Sequence, residues 1–240
     1  MAVNNSLTQA SKDKREAALT FEYESNGEKV KLSPATVRSY LVRGGGNVTD
    51  QEVMMFMTLC KYQHLNPFLN EAYLIKFGNS PATLVTGKDV FTKRAKKNAN
   101  YKGKAAGIIV CDENGVVTER EGTFKLPNEE LVGGWAKVYI NGYEQPEYAS
   151  VSFDEYVGKK SNGEVNNQWA TKPATMIRKV ALVQALREAF PDDYEGLYAQ
   201  EEIPELSNIV LDENVIDVDV EPTPQEPEPS TDAQMALFGN

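Results

Sequence analysis

Residues 173 to 190 carry an apolar pattern that an exposed helix would not have. Met176, Val180, Val183, Leu186 and Phe190 mark one face at helical spacing, and Ile177, Ala181 and Leu182 cover much of the remainder. Such a helix must be enclosed on several sides, and the rest of the chain has to supply the enclosure. On a helical projection Lys179 and Arg187 fall within or beside the apolar arc, while Arg178 points the opposite way. Cations on a mostly buried helix either snorkel or find partners. Arg187 either snorkels in this way or is held by Glu188 or another acid elsewhere in the chain.

Upstream, the pattern is mixed. Residues 1 to 30 are polar, with apolar positions too sparse for a stripe, and read as a flexible arm, with structure beginning near Val30. Ser33-Pro34 is a helix start, with Val37, Tyr40 and Leu41 on one face, and Gly44-Gly45-Gly46 ends that helix. Thr49 and Glu52 form a capping box ahead of Val53, Phe56, Met57 and Cys60, a second helix that stops before Pro67. Tyr73, Ile75 and Phe77 alternate as a strand, residues 82 to 86 form another, and a helix opens after Gly87. Four β segments follow in two hairpins: residues 105–111 with 116–124, and 131–140 with 147–151, turned at Asn114-Gly115 and Asn141-Gly142. Gly133-Gly134 inside the third segment signals a bulge or a close backbone approach. Ser152 and Glu155 make a second capping box. Strands and helices in separate runs make this an α+β chain with one core over residues 31–200, since 41% apolar content suffices for one sizeable core.

The charge is unevenly placed. From Lys76 to Lys104 there are eight cations, including Lys88, Lys93, Arg94 and Lys97, against one acid, Asp89. Lys93 and Lys97 lie one turn apart, where like charges disfavour the helix unless a polyanion neutralises them. Phe91 and Tyr101 add flat faces for unpaired bases, and charge alone also fits a solvated basic face. The overall net charge of −10 comes from residues 201–240, which hold eleven acids and no Lys or Arg. Pro222, Pro224, Pro227 and Pro229 punctuate that segment, an expected disordered acidic tail.

Hydrolytic chemistry finds no footing. Gly87-Lys88 fails the phosphate-loop pattern, with Ala82 five residues before Gly87 and Asp89 after Lys88. No Glu-x-Lys or Asp-x-Lys pairing of the metal-dependent nuclease kind occurs. One histidine, His64, and two cysteines, Cys60 and Cys111, make no ordinary zinc site, and the cysteines read as reduced thiols. His64 beside Leu65 reads as structural. No apolar run is long enough for a signal peptide or a membrane span, so a soluble, cytoplasmic protein is expected. What remains is binding.

Four ordered blocks now carry a resemblance. Residues 66–77 (NPFLNEAYLIKF), 85–95 (VTGKDVFTKRA), 133–139 (GGWAKVY) and 173–187 (PATMIRKVALVQALR) closely resemble the phage RecT family of single-strand annealing recombinases, which is related to Redβ. The resemblance covers about residues 32–198. It implies a β-sheet and a long helix framing a basic groove, and an ATP-independent protein that is not an enzyme. It also implies binding of single-stranded DNA, pairing of complementary strands through an annealed duplex intermediate, and assembly into rings or helical filaments. Lys76, Lys88, Lys93, Arg94, Lys97, Arg178, Lys179 and Arg187 are placed along that groove. Trp169 is a base platform, a subunit contact or a core residue. The resemblance also implies that the Redβ branch has further cations near the positions matching Ala174 and Thr175, which are absent here. No cofactor is expected, and divalent metal would act only by screening phosphates. The alternative is a protein that coats single strands without pairing them.

Two readings attach to the tail. It lies over the basic groove until DNA displaces it, or it confers solubility. Gln234-Met235-Ala236-Leu237-Phe238 resembles the short peptide by which bacterial proteins dock on the replicative sliding clamp, with Gln234, Leu237 and Phe238 as contacts. A partner exonuclease and a host single-strand binding protein complete the expected partners.

Overall fold

Asp112 folds the first long hairpin. Its carboxylate accepts hydrogen bonds from the Asn114 and Val116 amides at 2.9 and 2.8 Å, and Gly115 supplies the positive φ of the turn. The computed structural model describes residues 19–160, 162–199 and 202–203. Strands β6 (Tyr101–Cys111), β7 (Val117–Glu121), β8 (Glu130–Ile140) and β9 (Glu147–Ser152) form an antiparallel sheet in the order β7-β6-β8-β9. Both expected hairpins are present, and β6 also pairs with β8 across the middle.

Helix α6 (Pro173–Ala189) packs on this sheet, with Met176, Ile177, Val180, Ala181, Val183, Ala185 and Leu186 buried. The glycine pair in β8 serves both purposes read from it. A register shift falls between Ile109 and Val110, opposite Gly133 and Leu131. At Gly134 a Cβ would lie 2.7 Å from the Ile177 carbonyl oxygen, so only glycine admits the helix backbone here.

The other elements close around α6 and its sheet. Helix α1 starts at Pro34–Thr36, capped by Ser33, and widens to a π-helical turn over Val37–Leu41. Helix α2 (Asp50–Tyr62) has both hydrogen bonds of the Thr49–Glu52 capping box and buries Val53, Phe56, Met57 and Cys60. Strands β3 (Val42–Arg43), β4 (Ala72–Ile75) and β5 (Thr83–Thr86) form a small sheet, parallel between β3 and β4 and antiparallel between β4 and β5. Helix α3 (Lys88–Lys97) follows Gly87 directly, and its Phe91 stacks on Tyr194 with ring centroids 5.3 Å apart. Single turns α4 (Phe153–Tyr156) and α5 (Asn167–Thr171) precede α6.

Three expectations need correction. Residues 21–30 do not belong to an arm. Strand β1 (Phe21–Ser25) pairs in register with β2 (Glu28–Leu32), and the hairpin is fastened by Tyr23 Oη donating to Leu65 O at 2.7 Å and Ser25 Oγ to His64 O at 2.6 Å. Only alternate residues of each strand turn inward, so no stripe was visible, and the overlooked signal was Asn26-Gly27, both with positive φ. The remaining arm residues, 1–18, lie outside the described residues. The second capping box does not form, because Ser152 ends strand β9 opposite Gly133 and its side chain makes no cap hydrogen bond. The core also runs past residue 200: Thr86 pairs with Ala199 along the edge of β5, and Ile203 packs on Tyr73, Ile75 and Val85.

Gly134→Ala should destabilise the fold by about 1–3 kcal/mol, because the added methyl forces α6 off β8. Urea unfolding of the two proteins measures it, and equal midpoints would show that the close approach is not constraining.

Candidate nucleic-acid interface

Helix α3 divides the basic residues into two groups. Its buried side, Val90, Phe91 and Ala95, faces the core, and its two flanks line different cavities. On one flank a cleft of about 160 Å³ opens between α3, β6 and α6, with Lys88, Lys104, Arg178 and Lys179 as its cations and Asp89 as its acid. Thr92 and Thr175 contribute hydroxyls, and Leu182, Val183 and Leu186 form an apolar wall.

The geometry of this cleft follows from α6 lying flat on β8. Arg178, read from the helical projection as facing away, reaches across the sheet and donates from Nε to Ala106 O at 3.0 Å. Lys104 Nζ donates to Thr92 Oγ1 at 3.0 Å. Burial pushes the Lys104 ammonium below its ordinary pKa; Arg178, Lys96 and Lys88 push the same way, and Asp89 partly opposes them. A half-buried ammonium among like charges is a site that an anion would stabilise.

On the other flank a larger cavity, about 500 Å³, is lined by Tyr62, His64, Glu71, Lys93, Arg94 and Lys97 among others. Its cations are already engaged. Lys93 Nζ is 2.9 Å from Glu71 Oε1, and Lys97 Nζ donates to Asn26 Oδ1 at 2.5 Å. Arg94 is tied to the Gln63 and Asp193 backbone carbonyls and to Gln63 Oε1. His64, with φ 49°, sits with Nδ1 2.9 Å from Glu24 O, in keeping with a structural role. The smaller cleft therefore has the stronger demand for an anion.

A family model now decides the kinship. The RecT family model matches residues 29–214. The chain belongs to the RecT family. Over 153 residues it is also 32% identical to a protein of Ureaplasma parvum serovar 3 (strain ATCC 700970) described as "Uncharacterized protein UU154". That match covers 60% of this chain and 60% of the relative's length.

Within this RecT-family chain, the residues expected along one groove have different placements. Lys88, Arg178 and Lys179 share the cleft, and Lys93, Arg94 and Lys97 lie across α3 from it. Lys76 is 7% exposed and held by both Glu52 oxygens at 2.7 and 2.8 Å, so it faces no backbone phosphate. Trp169 is 1% exposed and meets Phe153 edge-on with centroids 5.7 Å apart, which corrects the base-platform reading in favour of the core. Arg187 is paired not with Glu188 but with Glu202, and its guanidinium lies over the Tyr198 ring. Gln234, Leu237 and Phe238 lie outside the described residues. Lys104 was the missed member: it was counted among the cations, but nothing local told that β6 would carry it beneath Thr92. Among the described residues, no helix is long and apolar enough to cross a membrane.

The Glu52–Lys76 pair gives a pH signature. The Lys76 ammonium, then the Thr49 and Ala82 amides, lower the Glu52 carboxyl from 4.5 to about 2. A depressed folded-state pKa means that between these values the unfolded chain binds the proton first. The stabilisation is full above pH 4.5 and is lost as pH falls toward 2. Glu52→Gln should lower stability at neutral pH and flatten this part of the acid limb; urea midpoints between pH 2 and 7 that run parallel in both proteins would contradict it.

Proposed function

We propose that the chain anneals complementary single strands of DNA without ATP, as expected of a phage-type recombination protein, with the cleft of Lys88, Lys104, Arg178 and Lys179 as its phosphate track. The observation that carries this reading is the convergence of four cations from three separate elements around one acid, with Lys104 displaced from its ordinary pKa by burial and like charge. A polyanion relieves that repulsion, and one phosphate bridging several cations releases the strand's own counterions.

Annealing sets a further requirement. The backbones must be neutralised while the base edges stay free to test pairing, and phosphate contacts do this without reading sequence. The apolar wall of Leu182, Val183 and Leu186 offers the strand a dry flank. Lys96 and Lys97, exposed on α3, supply charge toward the second strand and the annealed duplex intermediate. One subunit spans few nucleotides, so a homo-oligomer, ring or helical filament, holds the strands in register over a useful length. The chemistry is binding, with no cofactor and no bond cleaved. The site of action is the cytoplasm of a bacterial host, beside an exonuclease and the host single-strand binding protein.

Annealing of two labelled complementary oligonucleotides without ATP tests the reading. Lys88→Ala/Arg178→Ala should slow pairing about tenfold or more and lower the salt slope of single-strand binding by about 2. Binding without faster pairing in the intact protein would make it a coating protein instead, and full activity in the folded double variant would remove the cleft from the mechanism.

The Gln-x-x-Leu-Phe segment supports a second partner, the sliding clamp, with Gln234 anchoring by hydrogen bonds and Leu237 and Phe238 filling an apolar pocket. Gln234→Ala/Leu237→Ala/Phe238→Ala should abolish clamp binding in a pull-down with purified clamp and spare annealing in vitro. Retained clamp binding would refute the assignment.

A further inference from the structure

The larger cavity, on the flank of α3 away from the cleft, suits a different kind of ligand. Its charge is close to balanced: Lys93, Arg94 and Lys97 stand against Glu24 and Glu71, whereas the cleft sets four cations against Asp89. Its floor is apolar, with Leu65 and Val90 only 1% and 4% exposed. At about 500 Å³ it lies within the size range of small-molecule pockets.

The walls are tied to one another across the cavity. Asn26, at the turn of the β1–β2 hairpin, accepts from Lys97 at 2.5 Å, and the buried Glu71 carboxylate accepts from Lys93 and from the Asn66 amide, both at 2.9 Å. Two lining groups differ in being uncommitted. Tyr62, the last residue of α2, is 77% exposed and makes no hydrogen bond or ring contact among the described residues. His64 donates from Nδ1 to Glu24 O at 2.9 Å, so the neutral ring presents Nε2 as an acceptor, and none of the described residues donates to it.

An apolar floor, an exposed aromatic face and a lone acceptor, with little net charge, together suit a flat heteroaromatic ring that carries an N–H donor. We propose that this cavity takes one unpaired nucleobase of a bound single strand, stacked on Tyr62 and donating a hydrogen bond to His64 Nε2. This rests on the chain binding single strands, and not on the cleft being the phosphate track. All four bases carry an N–H donor on their pairing edge and all have a stacking face, so the pocket accepts any sequence. In a duplex that donor is engaged by the complementary base and the face is covered by its neighbours. The pocket therefore holds a strand only while it is unpaired and yields the base to an arriving complement, the other bases staying free throughout.

The test uses the full chain and two labelled strands of equal length, one of dT and one with an abasic site at every position, with binding read by fluorescence anisotropy. Tyr62→Ala should weaken dT binding about five- to tenfold and Tyr62→Trp should preserve it, while the abasic strand should bind the intact chain and Tyr62→Ala alike. A dT strand carrying 5-iodouracil should photo-cross-link to the peptide containing Tyr62, and annealing it to its complement beforehand should suppress that product. Equal weakening of both strands by Tyr62→Ala, no weakening of either, or a cross-link that survives annealing would overturn the proposal. Competition by free dTMP below about 1 mM would assign the pocket to a free nucleotide and overturn it as a strand site. Lys88→Ala/Arg178→Ala separates this proposal from the cleft, since it should weaken both strands to the same degree. If it weakens neither while Tyr62→Ala still acts on dT alone, the cleft reading fails and the pocket stands; if the intact chain binds neither strand, both fall.

Discussion

The contact between Gly134 and the Ile177 carbonyl sets the position of everything around α6. With no side chain at Gly134, the helix backbone sits against β8, and that approach fixes the rotation of α6 about its own axis. Ile177, Val180 and Ala181 then have no exposed surface. Ile177 and Val180 each contribute roughly 1.5–3 kcal/mol on burial, against the entropy of ordering them. The same rotation lays Arg178 across to Ala106 and leaves Lys179, Leu182, Val183 and Leu186 along one side, where α3 faces them. The cleft is a by-product of how closely a helix packs on a sheet.

Cations in this fold divide by what already neutralises them. Lys76 is neutralised by Glu52, whose carboxylate also accepts from the Thr49 amide at the start of α2 and from the Ala82 amide, so one carboxylate ties α2 to the loop between β4 and β5. Arg94 fastens the end of α2 to the residues after α6. Arg187 fastens the segment that follows those residues. These three are long-range ties, and removing any of them would cut a link across the fold, a structural loss that an annealing assay alone could mistake for lost DNA contacts. Lys88 and Lys104 differ in having mostly other cations around them.

Much of this was legible in the chain, for identifiable reasons. The capping box at Thr49, the Asn114-Gly115 turn, the glycine pair in β8 and the multi-sided apolar pattern of α6 are local signals, and each produced the feature it announced. The family blocks were legible too, since they are strings of adjacent residues. Partnerships across the fold were not. Glu202 lies fifteen residues from Arg187 and Glu52 lies twenty-four from Lys76, and neither spacing has a periodicity that announces a pair. The single groove drawn through all eight cations failed for a related reason. Charge along α3 reads as one block, yet successive helical positions turn by about 100°, which sends Lys88 and Lys93 to opposite flanks.

The first turn of α6 shows how this chain's charge arrangement is its own. Thr175 lines the cleft, so cations at this position and the one before it would bring charge to this part of the site from α6. Here Ala174 and Thr175 leave that turn neutral, and α3 and β6 supply Lys88 and Lys104 from the facing walls instead. Moving charge from one wall to both changes what the cleft asks of its ligand. Under the proposed function, a strand held by Lys88 and Lys104 against Arg178 and Lys179 would enter between α3 and α6 with its phosphates inward, leaving its bases outward to test a complementary strand.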